Sequence, residues 1–297
     1  SGTDAVEIAL RALGASGRTV ICPAMTAVPC ANAIEAAGAT IRLVDVEADG
    51  NVLFTKGKPG PGELRLSVSL YGAASDFNDH EDQTVEDIAH AMGAHDGAFR
   101  KAGTRGACGA VSLYPTKILG AVGDGGAIIT NNDEIARRVR ATRHYGFNGD
   151  NVNARGQNSR LSELQAAILR VKLPHVKKWI GKRQRIAERY TDELHPGVLA
   201  AVQPEGDCGS DGNAYHVYVV RHPERDRIVA ALKERGIGTM IHYPRAIHQH
   251  DRWRHLGYDG QFPMAEQLAR EVFSLPCYPY LRDDEQDEVI AAIKDLT

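Results

Sequence analysis

The chain lacks the features that mark exported, membrane-spanning or nucleic-acid-binding proteins. Its 297 residues hold five cysteines, Cys22, Cys30, Cys108, Cys208 and Cys277, odd in number, scattered and without a CxxC pair. A disulfide framework needs paired cysteines and an oxidising compartment, so this usage predicts a reducing one and a cytoplasmic location. No apolar run reaches the roughly 20 residues that a bilayer-spanning helix requires. The first residues form a Gly-Thr turn rather than a basic and apolar leader. An excess of one charge is missing too. Lys and Arg number 35 against 38 Asp and Glu, a formal charge of −3, which predicts no polyanion-binding surface and no nucleic-acid partner. There is no internal repeat, and Gly206 to Asn213 is a polar, glycine-bearing loop rather than a low-complexity linker.

What is present is an alternation of short apolar runs and amphipathic stretches. Val6, Ala9, Leu10 and Leu13 fall at helical spacing with Asp4 in the first turn and Gly14 as a stop, predicting a helix over Thr3 to Leu13. Thr19 to Cys22 and Thr40 to Asp45 read as buried strands around a helix from Val28 to Ala37, a βαβ unit. Further strands are expected at Arg65 to Leu70, Thr84 to Glu86, Ala110 to Tyr114 and Gly126 to Thr130. The result is an α/β fold with an open, mainly parallel sheet between helices, whose ligands gather at the strands' carboxyl ends. Helices are expected at Asp133 to His144, Ser162 to Leu173 and Pro174 to Leu194, the last linking two domains. A smaller α+β domain follows, with strands at Tyr215 to Arg221 and Gly238 to Ile241. Its helices are expected at Glu224 to Arg235, Pro263 to Phe273 and Asp283 to Leu296. The division expected is 1–175 for the large domain and 176–297 for the small one.

The residues with the most chemistry are Lys117 and Asp87. Lys117 ends Val111-Ser112-Leu113-Tyr114-Pro115-Thr116-Lys117, and the glycine-rich stretch Gly120 to Gly126 follows it. Glycines there let backbone approach a ligand closely. A lysine in such a setting is partly desolvated, which lowers its pKa and frees its amine for attack on a carbonyl. Asp87 follows the apolar strand ending at Glu86 and precedes small residues, which places it at a carboxyl end facing the same pocket; an exposed helix N-cap is its alternative reading. A lysine that holds an aldehyde as a Schiff base, with an acid that keeps a pyridine nitrogen protonated, is what a pyridoxal phosphate (PLP) enzyme requires.

Nine segments, in order, resemble the sugar-aminotransferase family of fold-type I PLP enzymes, the DegT/DnrJ/EryC1/StrS family. They are Ser1-Gly2-Thr3-Asp4-Ala5, Cys22-Pro23-Ala24-Met25-Thr26 with Ala31-Asn32-Ala33-Ile34, Leu70-Tyr71-Gly72, Glu86-Asp87 and Tyr114-Pro115-Thr116-Lys117. The rest are Gly123-Asp124-Gly125-Gly126, Asn158-Ser159-Arg160-Leu161, Ile241-His242-Tyr243-Pro244 and Ser274-Leu275-Pro276. The resemblance implies a seven-stranded type of sheet, pared down or rewired here, because the links after Val44 and after Tyr71 are short and rich in Gly, Pro and Asp, as in Lys56 to Gly62 and Ser75 to Asp79. A parallel crossover usually takes a dozen or more residues. It also implies a segment ahead of Ser1.

By resemblance, Lys117 and Asp87 are catalytic, and Gly2, Thr3, His90, Ser112 and Asn158 bind the cofactor. His90 matches a position that contacts the ring or its 3-hydroxyl, and reads equally as a hydrogen-bonded core histidine. Gly2 and Thr3 match phosphate ligands at a helix N-terminus, although Ser-Gly-Thr alone describes any helix cap. Ser112 matches a phosphate ligand, or is a strand residue satisfied by backbone. Asn158 matches a residue that reaches the phosphate from the partner subunit, implying a homodimer with a shared active site. His242 and Tyr243 match the substrate channel. The implied reaction is transfer of an amino group from an amino acid, glutamate, to a keto-sugar on a nucleotide diphosphate. The products of such reactions feed cell-surface polysaccharide, lipopolysaccharide or glycosylated metabolites.

One departure stands out: Ala27 occupies a position where the family places Phe or Trp against the cofactor ring, a loss of about 1 kcal/mol of stacking. Met25, His90 or Tyr71 are the residues available to cover that face. A pyridoxamine-phosphate-dependent dehydratase of the same family carries histidine where this chain has Lys117. A non-catalytic regulatory paralogue, or an incomplete product that cannot assemble the dimer, are further alternatives. His242, His248, His250 and His255 cluster without Cys or acid at ligand spacing, so no metal is expected. Lys177, Lys178, Lys182, Arg183, Arg185 and Arg189 read as a solvated helix face, some of which could meet a diphosphate.

Overall fold

The computed structural model describes residues 1–50, 57–75, 77, 79–194, 200–201 and 212–297. Lys56, Asp76, Asn78, Cys208 and most of the Gly206 to Asn213 loop lie outside the described residues. The first helix, α1 (Gly2–Ala12), starts at a capping box in which Ser1 and Asp4 bond each other's backbone, and it buries Ala5, Val6, Ile8, Ala9 and Leu10. β1 (Thr19–Pro23), α2 (Val28–Ala36) and β2 (Thr40–Val44) form the expected βαβ unit, with β1 and β2 parallel in register from Thr19 opposite Thr40. β3 (Leu64–Val68), β4 (Thr84–Asp87), β5 (Cys108–Ser112) and β6 (Gly126–Ile129) complete a six-stranded sheet of order β2-β1-β3-β4-β5-β6. All pairs are parallel except β5 with β6.

The parallel order is kept although, among the described residues, the links after β2, β3 and β4 contain no α-helix, only a 3-10 turn at Glu81–Gln83. The sheet is thus pared down on this side. A polar network replaces the helical cover. Glu86 accepts backbone N–H bonds from Gly103, Arg105 and Gly106 at 2.8, 2.8 and 2.6 Å. Phe77 lies between two guanidinium groups, 4.6 Å from Arg65 and 4.3 Å from Arg105. Arg65 also bonds Thr84 and Asp79, and Arg105 bonds Ser75 O and pairs with Asp96. Each charged group here has at least one hydrogen-bond or ionic partner, as a buried polar layer requires.

Beyond the sheet come α3 (Asp133–Thr142), a hairpin of β7 (Phe147–Asn148) and β8 (Asn151–Val152), α4 (Glu163–Lys172) and α5 (Val176–Leu194). The long helix does link two cores. Val176 and Ile180 pack with Ile88, Val111 and Leu119, whereas Ile186, Ala187, Tyr190 and Leu194 pack with Tyr218, Phe273 and Ile293. The second core lies under β9 (Ala200–Ala201), β10 (Tyr218–Arg221) and β11 (Val272–Leu275), an antiparallel sheet backed by α6 (Arg225–Glu234) and α8 (Asp283–Leu296). The remaining helix, α7 (Pro263–Glu271), packs instead with the first core. Asp45 accepts from its first amides, Met264 N and Ala265 N, and Glu35 takes bonds from Arg252 and Trp253 nearby.

Four expectations change. Gly238 to Ile241 is not a strand; Met240 makes a single antiparallel bridge to Ser274. The helix expected to reach Phe273 stops at Glu271, because Val272–Leu275 pairs with β10. β10 begins at Tyr218 rather than Tyr215, since Tyr215 has a φ of 43° and its N–H bonds Asn213 Oδ1. Arg183 is not on a solvated face. It is buried and donates to the carbonyls of Tyr215, His216 and Cys277.

Candidate active site

Two adjacent strands deliver the central residues. Asp87 is the last residue of β4 and Ser112 the last of β5, both at the carboxyl edge of the parallel sheet. The chain then leaves β5 through a turn closed by Lys117 N–H on Tyr114 O at 2.9 Å, so Lys117 stands in the loop beyond the strand rather than at its end. Glycine is required in this loop by close backbone approach: a Cβ on Gly120 would lie 2.2 Å from Pro115 O. The start of α1 is wedged into the same edge, with a Cβ on Gly2 falling 2.7 Å from Ser112 Cβ and one on Gly126 2.1 Å from Ser1 O. The glycines bring the N-terminus of α1, the end of β5 and the start of β6 together.

Burial tunes the charges. Desolvation lowers the Lys117 amine to about 8, against the pull of Asp87 and Cys30, which raises it. Asp87 is buried, and desolvation pushes its carboxyl up, opposed by the Ala89 N–H at 2.9 Å, by the Cys30 thiol at 3.3 Å and by Lys117. The exposed N-cap reading of Asp87 is therefore excluded. His90 is buried with Nδ1 3.3 Å from Tyr71 N–H, which makes Nδ1 the acceptor and places the proton of the neutral ring on Nε2. Burial, then the charges of Lys117 and His242, hold it well below the usual histidine range.

His242 joins this cluster. Its ring lies 6.5 Å from that of His90, its Nδ1 is 2.8 Å from Ser274 Oγ, and burial followed by the Lys117 charge lowers it to about 4. The neighbouring Tyr243 hydroxyl is pushed up by burial, then by Cys30 and Asp87. Tyr71, in the loop after β3, donates from its hydroxyl to His242 O at 2.6 Å and so ties the two halves of the site together. Two participants were not expected from the sequence. His216 is buried with its ring 4.5 Å from His90, and Cys30 in the first turn of α2 bonds Asp87. The only sequence signal for His216 was a histidine at the head of an apolar run.

Other expected residues lie further out. Gly2 and Thr3 open α1, and the capping box there engages Ser1 and Asp4, not their own N–H groups. Ser112 Oγ accepts from Tyr114 N–H at 3.4 Å. Asn158 is exposed, bridges His144 and accepts from Arg160 at 3.1 Å. It lines a cavity of about 470 Å³ with Ser1, Asp4 and Gly126, apart from Lys117 and Asp87. A second groove of about 470 Å³ starts at His242 and Ser274 and runs over Met240, Tyr278 and Glu285. Ala27 is the uncapped N-cap of α2; Met25 is fully buried in the first core. The clustered histidines have separate partners, His248 with Glu266, His250 with Trp253 and His255 with Arg252 O. Cys22, Cys30, Cys108 and Cys277 are free and buried. Among the described residues no helix is long and apolar enough to cross a membrane.

Comparison with known proteins places this geometry. The profile of the DegT/DnrJ/EryC1/StrS aminotransferase family matches residues 1–56 and 66–294. The chain is 40% identical over 316 aligned residues to the dTDP-3-amino-3,4,6-trideoxy-alpha-D-glucose transaminase of Micromonospora megalomicea subsp. nigra, covering 100% of this chain and 83% of that one. It is 37% identical, with the same coverage, to the pleiotropic regulatory protein of Geobacillus stearothermophilus. The crystal structure of S. venezuelae DesV in complex with a ketimine intermediate superposes with a TM-score of 0.90 at 35% identity, over 100% of this chain and 83% of that one. NtdA from Bacillus subtilis with bound cofactor PMP gives 0.86 at 27% identity, over 100% and 72%. The chain belongs to the DegT/DnrJ/EryC1/StrS aminotransferase family.

Proposed function

We propose that this member of the DegT/DnrJ/EryC1/StrS family is a PLP-dependent aminotransferase that passes an amino group from L-glutamate to a keto-sugar carried on a nucleotide diphosphate. The observation that carries the reading is the lysine amine held at about 8 within the field of a buried carboxylate, Lys117 and Asp87, at the carboxyl edge of the sheet. The residues fit the cofactor. Burial raises Asp87, and a protonated ring nitrogen beside it would restore its charge. Two relatives support the reading by their names, a dTDP-sugar transaminase for the substrate class and a PMP-bound protein of this fold for the cofactor.

Bound PLP supplies an electron sink for the carbanion formed when an amino acid loses its α-proton. Asp87 keeps the proton on the ring nitrogen. Lys117 would be the attachment point for the aldehyde, and once free its Nζ, lowered to about 8 by burial, would take up and return a proton. Gly2, Thr3 and Ser112 would hold the phosphate with backbone N–H and hydroxyl groups at the positive end of α1. Asn158 reaches the phosphate of a second copy, which makes the active form a homodimer. His90 would offer its Nε2–H to the cofactor ring or its 3-hydroxyl, and His242 and Tyr243 would line the substrate side. We assign residues 1–175 to a PLP-binding domain, 176–297 to a small domain, and the protein to the cytoplasm.

Lys117 argues against the dehydratase chemistry. The test is to incubate PLP-loaded protein with L-glutamate and nucleotide-linked keto-sugars. Formation of 2-oxoglutarate together with an amino-sugar nucleotide supports the reading. Retained binding of PLP or sugar with no transfer to any keto-sugar supports a regulatory paralogue instead.

A further inference from the structure

Asp87 is held by a hydrogen-bond chain that no cofactor role explains. Its Oδ1 accepts the Ala89 N–H at 2.9 Å, and its Oδ2 faces Cys30 Sγ at 3.3 Å. Cys30 Sγ in turn lies 3.3 Å from Thr26 Oγ1. Cys30 and Thr26 are both 1% exposed, so water does not replace these contacts. The direction of the chain is fixed by proton counting. An ionised carboxylate only accepts, so the single thiol hydrogen must go to Asp87, and the hydroxyl hydrogen of Thr26 must then go to sulfur. The order is Thr26 O–H to Cys30 S–H to Asp87 Oδ2.

We propose that Cys30 is a positioning residue for the acid of the site: its thiol, backed by Thr26, locks the Asp87 carboxylate in place while leaving most of the carboxylate's charge to the cofactor ring nitrogen. This rests on the PLP reading above. A thiol is a weak donor. It occupies a lone pair of Oδ2 and fixes the rotamer, yet withdraws less charge than a hydroxyl or amide in the same place would. The first turn of α2, which carries Cys30, adds its positive end beside the same carboxylate. Glu86, one residue earlier on the opposite face of β4, shows the contrast, since three backbone N–H groups satisfy it.

The test is a pH titration of the absorption band of the Lys117-bound cofactor in the full-length protein, for wild type, Cys30→Ala, Cys30→Ser and Thr26→Val. Removing the donor in Cys30→Ala leaves more charge on Asp87 and should raise the midpoint. A stronger hydroxyl donor in Cys30→Ser should lower it. Thr26→Val, which only stops polarising the thiol, should raise it by less than Cys30→Ala does. Each shift is expected to be on the order of half a pH unit, about a threefold change in the protonation equilibrium. Simple loosening of the site would move Ala and Ser variants the same way. Shifts of one sign, or none, overturn the inference while leaving the PLP reading intact. If Cys30 variants fold poorly, Thr26→Val decides alone, an unmoved midpoint overturning the relay. If wild-type protein forms no such band, the PLP reading and the inference fall together.

Discussion

Glu86 and Asp87 are consecutive, both buried, and opposite in fate. The pleat of β4 sends them to different faces of the sheet. On one face Glu86 collects the backbone of Gly103, Arg105 and Gly106 and stands within a matched set of charges around Phe77. On the other, Asp87 has one amide and one thiol, with a partly desolvated lysine as its cation. The first carboxylate is satisfied by its own chain and holds the link after β4 in place. The second is left with unused accepting capacity, which is costly in the free protein and useful for a ligand cation. A buried acid therefore signals a site only when its own chain fails to satisfy it.

The contrast breaks most sharply at Lys117. Lys117→Met should abolish PLP attachment and lower amine transfer by about 1000-fold or more, while making the free protein more stable. Folding moves this amine from its ordinary 10.5 to about 8, so between those values the unfolded chain binds the extra proton. Wild-type stability thus rises with pH from about 8 to 10.5, and the cost of burying the charge is fully present below about 8. The variant should gain about 1–3 kcal/mol at pH 7 in denaturant unfolding of the PLP-free form, a gain that fades above pH 10. A variant that is less stable at pH 7 would contradict this.

The paired substitutions Asp87→Asn and Glu86→Gln come next. Asp87→Asn should cut transfer by about 100-fold or more without lowering the melting temperature of the PLP-free protein. Glu86→Gln should do the reverse, costing about 2–4 kcal/mol of stability through its three amide bonds while keeping transfer per folded molecule within about threefold. Equal loss of activity and stability in both would erase the distinction.

A smaller effect separates the faces by pH. The rate of PLP attachment to PLP-free protein should climb about tenfold per unit and level off above about pH 8, as Lys117 loses its proton; stopped-flow absorbance at fixed PLP measures it. The smallest expected change is Phe77→Leu, which removes the ring between Arg65 and Arg105. It should cost about 1–2 kcal/mol in thermal unfolding and leave attachment unchanged.

The sequence pattern carried the sheet and most helices because their apolar periods are local. It also carried Lys117 and Asp87, whose setting of apolar strand, acid and glycine loop is read along the chain. Features that depend on distant partners were not legible. Val272–Leu275 continues the pattern of α7, and only pairing with β10 turns it into a strand. Arg183 sits in a basic run, yet it is buried because the carbonyls of Tyr215, His216 and Cys277 converge on it. His216 and His90 meet ring to ring across the fold with no spacing to announce it, and Cys30 meets Asp87 because the fold brings the first turn of α2 to the end of β4.

The most direct measurement is to add PLP to the purified protein, reduce with borohydride and map the modified peptide by mass spectrometry. One phosphopyridoxyl group on the peptide containing Lys117, absent from Lys117→Ala, is the expected result. The same adduct in Lys117→Ala, or modification of a different lysine in wild type, would contradict the account.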